Sequence, residues 1–205
     1  MGIFGRIRQS AWTSRNQDRL PGDDFRDMVD LPGWEQQSIW GWDHAGSFFA
    51  QLWRNGNRGD EPDLWLSGIS THYSQASCIV VEIVDKLGAD PAAVVTALGL
   101  ADPKPRLRPD DQVMELLRPG VNKQGKTRLD QGAIHALGWA QGLVARTPVS
   151  NHPWPGPRPT ADRVVAEHHL VTGRLHLSGG DRDFLAGVDA ALWWYLRHSD
   201  DTWFL

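Results

Sequence analysis

The stretch from Ser38 to Gly68 constrains the fold more than any other part of this chain. Three short runs in it, SIWGWD, SFFAQLWRN and DLWLSG, alternate between two sets of side chains, and turn-forming residues separate the runs. A period of two residues is that of a β-strand, and short connections containing Gly or Asn are typical of antiparallel neighbours. The stretch therefore predicts a three-stranded antiparallel meander, which holds four of the eleven tryptophans: Trp40, Trp42, Trp53 and Trp65.

The second run of this meander is apolar on both of its faces. Phe49 and Trp53 alternate with Phe48 and Leu52, so neither face is suited to water. A helix predicted to begin near Ser74 is expected to cover one face. For the other face the sequence leaves two alternatives open, a C-terminal element of the same chain or a partner.

After Ser74 the period changes to three or four residues, which is typical of amphipathic helices. Gly88 is expected to end the first helix, and Asp90 to cap a second one through Leu98. Other helices are predicted at Asp23–Val29, at Asp110–Leu117, from Asp130, from Thr160 to a break at Gly173, and from Asp181 or Asp183. The predicted fold class is α+β, in which an N-terminal meander packed with helices is followed by a small helical C-terminal unit.

Proline marks the main division of the chain. Residues 148–160 contain five prolines, and alternating prolines favour extended polyproline II over helix or sheet. Trp154 within this segment is predicted to strap it to the body, and one of the adjacent Trp193 and Trp194 to lie at the rim of the core. The predicted units are an N-terminal extension at 1–30, an α+β domain at 31–147, a proline-rich linker at 148–160, and a helical unit at 161–205 that packs on the domain.

Composition excludes several classes of protein. The net charge of the 205 residues is −4 at pH 7, so the chain lacks the basic field of nonspecific nucleic-acid binders. A single cysteine, Cys78, excludes an internal disulfide framework and a cysteine-cluster zinc site. No apolar run approaches the roughly 20 residues that cross a bilayer, and the N-terminus lacks a signal-peptide core, so a cytoplasmic location is expected. Only four of the 21 basic residues are lysines, which favours a GC-rich bacterial source.

Known catalytic motifs are absent from the sequence. It contains no HEXXH pattern, P-loop, nucleophile elbow or dinucleotide fingerprint, and no cofactor is predicted. The strongest acid–base set is Asp43, His44 and His72, which the meander is expected to bring to one rim of the sheet. A histidine base oriented by an aspartate would there serve a hydrolase or a small-molecule site. Turn residues of these types are more often structural, so an enzyme is the alternative and not the main hypothesis.

Two further groups of residues carry weaker signals. His168, His169 and His176 are metal-ligand types, but neighbouring helical positions face different ways and a metal clamp needs spacings of three or four. No metal is therefore predicted. A basic region offers phosphate or nucleic-acid contacts through Lys104, Arg106, Arg108, Lys123, Lys126 and Arg128. Acidic neighbours dilute its charge, so nucleic acid is the second alternative partner and not the expected one.

The surplus of tryptophan carries the functional prediction. Tryptophan is enriched at the hot spots of protein interfaces, and the residues predicted to bind are Trp40, Trp42, Trp53, Trp65, Trp154, Trp193 and Trp194. The sequence thus predicts a non-catalytic interaction protein of a bacterium or its mobile elements, with an accessory, regulatory or immunity-type role. Its expected partner is another protein or a second copy of itself, and no membrane is involved.

Overall fold

The fold is a four-stranded antiparallel sheet combined with six helices, within the residues that the computed structural model describes: 24–44, 46–69, 71–154, 156, 158–177, 180–202 and 204. The strands lie in chain order in the sheet; they are β1 (Phe25–Met28), β2 (Ile39–Asp43), β3 (Ser47–Leu52) and β4 (Leu64–Leu66). The helices are α1 (Ala76–Leu87), α2 (Pro91–Ala97), α3 (Asp110–Asn122), α4 (Arg128–Ala140), α5 (Ala161–His176) and α6 (Arg182–Tyr195). This arrangement confirms the α+β class.

The predicted number of three strands is wrong, because the segment predicted as a helix at Asp23–Val29 contains β1. This strand pairs with β2 from Phe25 opposite Trp42 to Met28 opposite Ile39. Its Phe25 ring lies 5.4 Å from the Trp40 ring, centroid to centroid. A helix of seven residues is marginal in water, so strand pairing and this aromatic contact outweigh the local preference. Asp23 itself lies outside the described residues.

One face of the sheet forms part of the hydrophobic core. Trp40, Ala50, Leu52 and Leu66 are buried there together with the apolar side of α1. At the neighbouring position Gly41 is required, because a Cβ atom would overlap the carbonyl group of Phe25 on β1. The absence of a side chain thus lets the edge strand approach its partner closely.

The helical layer is held by two close crossings between backbones. Helices α4 and α6 pack against each other more extensively than any other pair, and α5 packs on α1. Gly132 of α4 faces the carbonyl of Phe184, and Gly187 of α6 faces the carbonyl of Leu129, so that a Cβ at either glycine would overlap backbone atoms. These contacts explain why the small residues of α4 are buried.

Several helix boundaries differ from the predicted ones. Asp130 does not cap α4; Thr127 does, and Asp130 completes a capping box as the third helical residue. Helix α3 continues past Leu117 to Asn122. Helix α5 also continues through Gly173 because this residue lies against the Ser77 carbonyl of α1, where only glycine fits. A glycine that reads as a helix breaker in sequence is here the point of closest helix contact.

The proline-rich segment is tied to the helices near its start and at its middle. The buried Glu167 of α5 accepts hydrogen bonds from the backbone N–H of Val149 (3.0 Å) and from the Ser150 hydroxyl (2.6 Å). Trp154 packs edge-on against Trp139 of α4, with ring centroids 6.3 Å apart. These contacts explain how an extended segment without regular structure is held in place. No helix in the described part of the chain is long and apolar enough to cross a membrane.

Candidate interaction surface

The face of the sheet that points away from the core carries one continuous cross-strand row of side chains. Strand register places Met28 opposite Ile39, Ile39 opposite Gln51, and Gln51 opposite Trp65. We call these four residues the outer row. Met28 and Trp65 are 73% and 59% exposed, and Ile39 and Gln51 are half-buried. The row therefore has a large exposed hydrophobic side chain at each end, one on each edge strand.

A second, shorter row beside it is already covered by the chain. Arg26 is opposite Gly41, and Gly41 is opposite Phe49. The guanidinium carbon of Arg26 lies 5.9 Å from the centre of the Phe49 ring, and Phe49 is only 7% exposed. Neither Phe49 nor any residue of the outer row is part of the hydrophobic core formed by the described sheet and helices.

The outer row has the dimensions and chemistry of a small protein-binding surface. Four strands at a spacing of about 4.8 Å span about 14 Å across the sheet. No residue of the row is charged, so a partner need not desolvate an ion to cover it. Exposed apolar residues scattered singly need no explanation, but aligned ones bordered by polar groups mark contact sites.

Comparisons with protein-family models, with curated proteins and with solved structures found no significant match. The functional inference therefore rests on the geometry of the chain itself. Packing of the core and of the helices does not explain why the apolar ends of the outer row are exposed.

The tryptophans predicted to bind in the meander occupy different environments. Trp40 is fully buried, so its ring belongs to the core in this conformation. Trp42 is half-buried and meets Phe48 edge-on with ring centroids 4.8 Å apart. Trp53 is half-buried, and the alternation of β3 assigns it to the outer face beyond Gln51. Trp65 alone among these four is exposed.

The three remaining predicted tryptophans lie in the helical layer. Trp154 is half-buried against Trp139. Trp194 is buried to 5% exposure and is covered by the guanidinium group of Arg108 at 4.8 Å from the ring centre. Trp193 is half-buried, and its ring stacks on His198 at a centroid distance of 4.3 Å. The adjacent pair thus divides between core and rim.

The acid–base residues predicted at the sheet rim lie at one end of the sheet. Asp43 pairs with Ser47, and Ser47 accepts a hydrogen bond at its hydroxyl from the backbone N–H of Tyr73, at 3.0 Å. His44 follows Asp43 and His72 precedes Tyr73 in the chain. Both histidines are exposed.

The histidines considered as metal ligands serve as structural contacts of α5. His169 Nδ1 lies 3.0 Å from the Ser77 hydroxyl, its ring also hydrogen-bonds to the backbone of Leu100, and burial lowers the pKa of His169 to about 3. His168 Nε2 lies 3.5 Å from the buried carboxylate of Asp189, and His176 is exposed. Among the described residues no group of three His, Cys, Asp or Glu side chains is placed to hold a metal ion.

One aromatic cluster was not foreseen from the sequence. The ring of His198 lies 4.3 Å from Trp193 and 6.4 Å from His168, and Trp193 lies 5.3 Å from His168. His198 is on the turn after α6, where its backbone N–H donates a hydrogen bond to the Trp193 carbonyl at 3.1 Å. The only sequence signal was the spacing of five residues between Trp193 and His198, which a helix end brings together.

Three of the six basic residues predicted to contact phosphate or nucleic acid form ion pairs within the chain. Arg108 donates to the carbonyls of Trp194 (3.2 Å) and Ser199 (2.6 Å) and pairs with Asp200. Lys123 lies 2.7 Å from Asp130, and Arg128 pairs with Asp181. Lys104 and Arg106 are exposed, and Lys126 is half-buried. Arg108 and Lys123 also line an open groove of about 920 Å³ beside Trp194.

Sequence reasoning missed most of the outer row. Met28 was hidden by the helix predicted at Asp23–Val29, and Ile39 and Gln51 gave no signal by themselves. Each face of β1 carries one apolar and one charged residue, Phe25 with Asp27 and Met28 with Arg26, so the segment has no apolar alternation that would have indicated a fourth strand. The sequence did indicate that the second face of β3 needs a cover, and this is the outer face of the sheet on which the row lies.

Proposed function

We propose that this protein is a non-catalytic interaction protein, with an accessory, regulatory or immunity-type role, that docks another protein on the outer face of its sheet. The observation that carries the proposal is the exposure of Met28 and Trp65 at the two ends of one uncharged cross-strand row. Tryptophan offers a large rigid surface that loses little conformational entropy on binding, which is why it is frequent at interface centres.

The exposure of Trp65 is unfavourable for an isolated protein. Its strand ends at Leu66, which is buried in the core on the opposite face, so a polar residue at position 65 would serve the sheet as well. Covering the exposed parts of Met28 and Trp65 would contribute about 25 cal/mol per Å² of apolar area. A protein partner supplies that cover without any rearrangement of the core.

Site-specific photo-crosslinking in cells tests this proposal. We expect a photoreactive phenylalanine analogue at position 65 to form discrete protein adducts, and the substitution Met28→Lys to abolish them. Leu143, which follows α4 and is 64% exposed, provides the matched control position because it is equally accessible but lies outside the sheet.

The same adducts from position 143, or no adducts from position 65, would contradict the proposal. Circular dichroism spectra and melting temperatures of all variants must match those of the wild type. We expect them to match because surface substitutions usually change stability by less than about 0.5 kcal/mol.

A further inference from the structure

We infer that the partner of the outer face is a second copy of this chain, which joins the two sheets face to face into a weak symmetric dimer. This inference rests on the proposed function, because it names the partner of the same surface. It follows from the register of the strands and from the order of side chains along the outer row.

The outer row is complementary to itself under a twofold axis. An axis that runs parallel to the strands, between β2 and β3, exchanges the two ends of the row. Met28 then faces Trp65 of the second copy, and Ile39 faces Gln51 of the second copy. The flexible thioether of a methionine packs well on an indole ring, so each exposed side chain finds a suitable contact. Twofold axes are the most common symmetry of homo-oligomers.

The charge beside the row is compatible with this pairing. Arg26 is on β1, at one edge of the sheet, so the same axis places the Arg26 of the second copy over the other edge. The two guanidinium groups are then about 14 Å apart, which is three strand spacings. This distance exceeds the Debye length of about 8 Å at physiological ionic strength, so their repulsion is largely screened.

The size of the face determines how tightly the copies associate. Two stacked sheets pack about 10 Å apart with their strands rotated by about 30°. A stable interface buries about 800 Å² on each partner, and a row of four side chains with their neighbours covers less than this area. The expected dimer is therefore weak and exchanges with the monomer.

Sedimentation velocity of the full chain tests the inference directly. We expect the weight-average mass to rise from 22.9 kDa toward twice that value as the concentration increases from about 2 µM to about 500 µM, the range in which weak complexes form. Trp65→Lys should remain monomeric throughout this range. Leu143→Lys, which carries the same charge change at a comparably exposed site, should behave as the wild type does.

A cysteine-pairing experiment tests the arrangement itself. Facing positions of the stacked sheets are about 10 Å apart, beyond the reach of a disulfide, so a short bis-maleimide crosslinker is used. In a treated mixture of the Met28→Cys and Trp65→Cys proteins, we expect mixed dimers between the two variants to exceed like-with-like dimers at least severalfold. The native Cys78 does not interfere because it is buried. A preference for like-with-like dimers, or equal amounts of all dimers, would overturn the proposed axis.

The two proposals fail in different ways. A wild type that stays monomeric at every concentration, while position 65 crosslinks to a different protein, overturns the second-copy inference and leaves the proposed function standing. A monomer that yields no adducts from position 65 overturns both. Dimerisation that Trp65→Lys does not weaken would place the contact elsewhere and also overturns the inference.

Discussion

His169 illustrates how a polar residue inside a helical layer is accommodated. Its ring joins three parts of the chain, since it lies on α5, contacts the Ser77 hydroxyl of α1 and hydrogen-bonds to the backbone of Leu100 after α2. His169 is half-buried, and the partial removal of its ring from water favours the neutral form. Burial is the main cause of its low pKa, and the charge of the neighbouring His168 adds to the effect.

The low pKa of His169 predicts that the protein loses stability in mild acid. The folded form keeps His169 neutral down to about pH 3, whereas an unfolded histidine takes up a proton below about pH 6.5. Unfolding therefore binds one proton at His169 between these values, and the contribution of His169 to the free energy of unfolding falls by about 1.4 kcal/mol for each unit of decreasing pH. From pH 6.5 to pH 5 the expected loss is about 2 kcal/mol.

Urea denaturation of the wild type and of His169→Gln at pH 7 and pH 5 measures this contribution. The variant should be less stable at pH 7, and its difference from the wild type should shrink at pH 5. Leu143→Gln, which changes an exposed residue that does not titrate, is the control and should keep the wild-type pH dependence. A constant difference between wild type and His169→Gln at both pH values would refute the assignment.

At the scale of elements, the crossing of α4 and α6 sets how closely the helices can approach. Gly132 and Gly187 each face a backbone carbonyl of the other helix, so the contact is between main chains and not between side chains. Such a contact has no flexible group that can move aside. Any side chain at these positions forces the helices apart along their length.

We predict that Gly187→Ala destabilises the protein by about 3 kcal/mol, even though alanine has the higher helix propensity. The reason is that the new Cβ overlaps the carbonyl of Leu129. Gly59→Ala is the control. Gly59 lies in an exposed loop, and the atom nearest to its new Cβ would be the Asn57 side-chain oxygen at 3.2 Å. This substitution should change the free energy of unfolding by less than about 0.5 kcal/mol. Equal effects of the two substitutions in chemical denaturation would show that the crossing is not tight.

Elements with a strong local pattern could be predicted from the sequence, and elements that depend on distant contacts could not. The alternation of β2 to β4, the cap at Asp90 and the start of α5 directly after Thr160 are local signals. Strand β1 exists because Phe25 packs on Trp40, a contact that its own four residues do not reveal. Gly173 lies inside a helix because Ser77, almost a hundred residues away, lies against it. For the same reason the tryptophans of the meander could be found, but their division between core and surface could not.

At the scale of the whole molecule, one hydrophobic core connects the sheet with all six helices. Leu52 of β3 and Leu192 of α6 are both fully buried members of this core. We therefore predict that the described parts of the chain unfold together. Leu52→Ala and Leu192→Ala should each lower the free energy of unfolding by about 2 to 5 kcal/mol and shift one common transition.

Far-ultraviolet circular dichroism and tryptophan fluorescence report on different parts of the molecule and together measure this cooperativity. Coincident urea transitions by both probes, in the wild type and in both variants, are the expected result. Two separate transitions, with Leu192→Ala moving only one of them, would instead favour an independently folded C-terminal unit after the proline-rich segment.

The packing of α6 on α4 also has a consequence for protein synthesis. Helix α4 ends at Ala140, but its most extensive packing is against α6, which ends at Tyr195. At about 5 to 20 residues per second, a ribosome needs roughly 3 to 11 s to extend the chain from Ala140 to Tyr195. During those seconds the side of α4 that packs on α6 lacks its native partner, so each newly made chain passes through a state that exposes this side to chaperones and to other nascent chains.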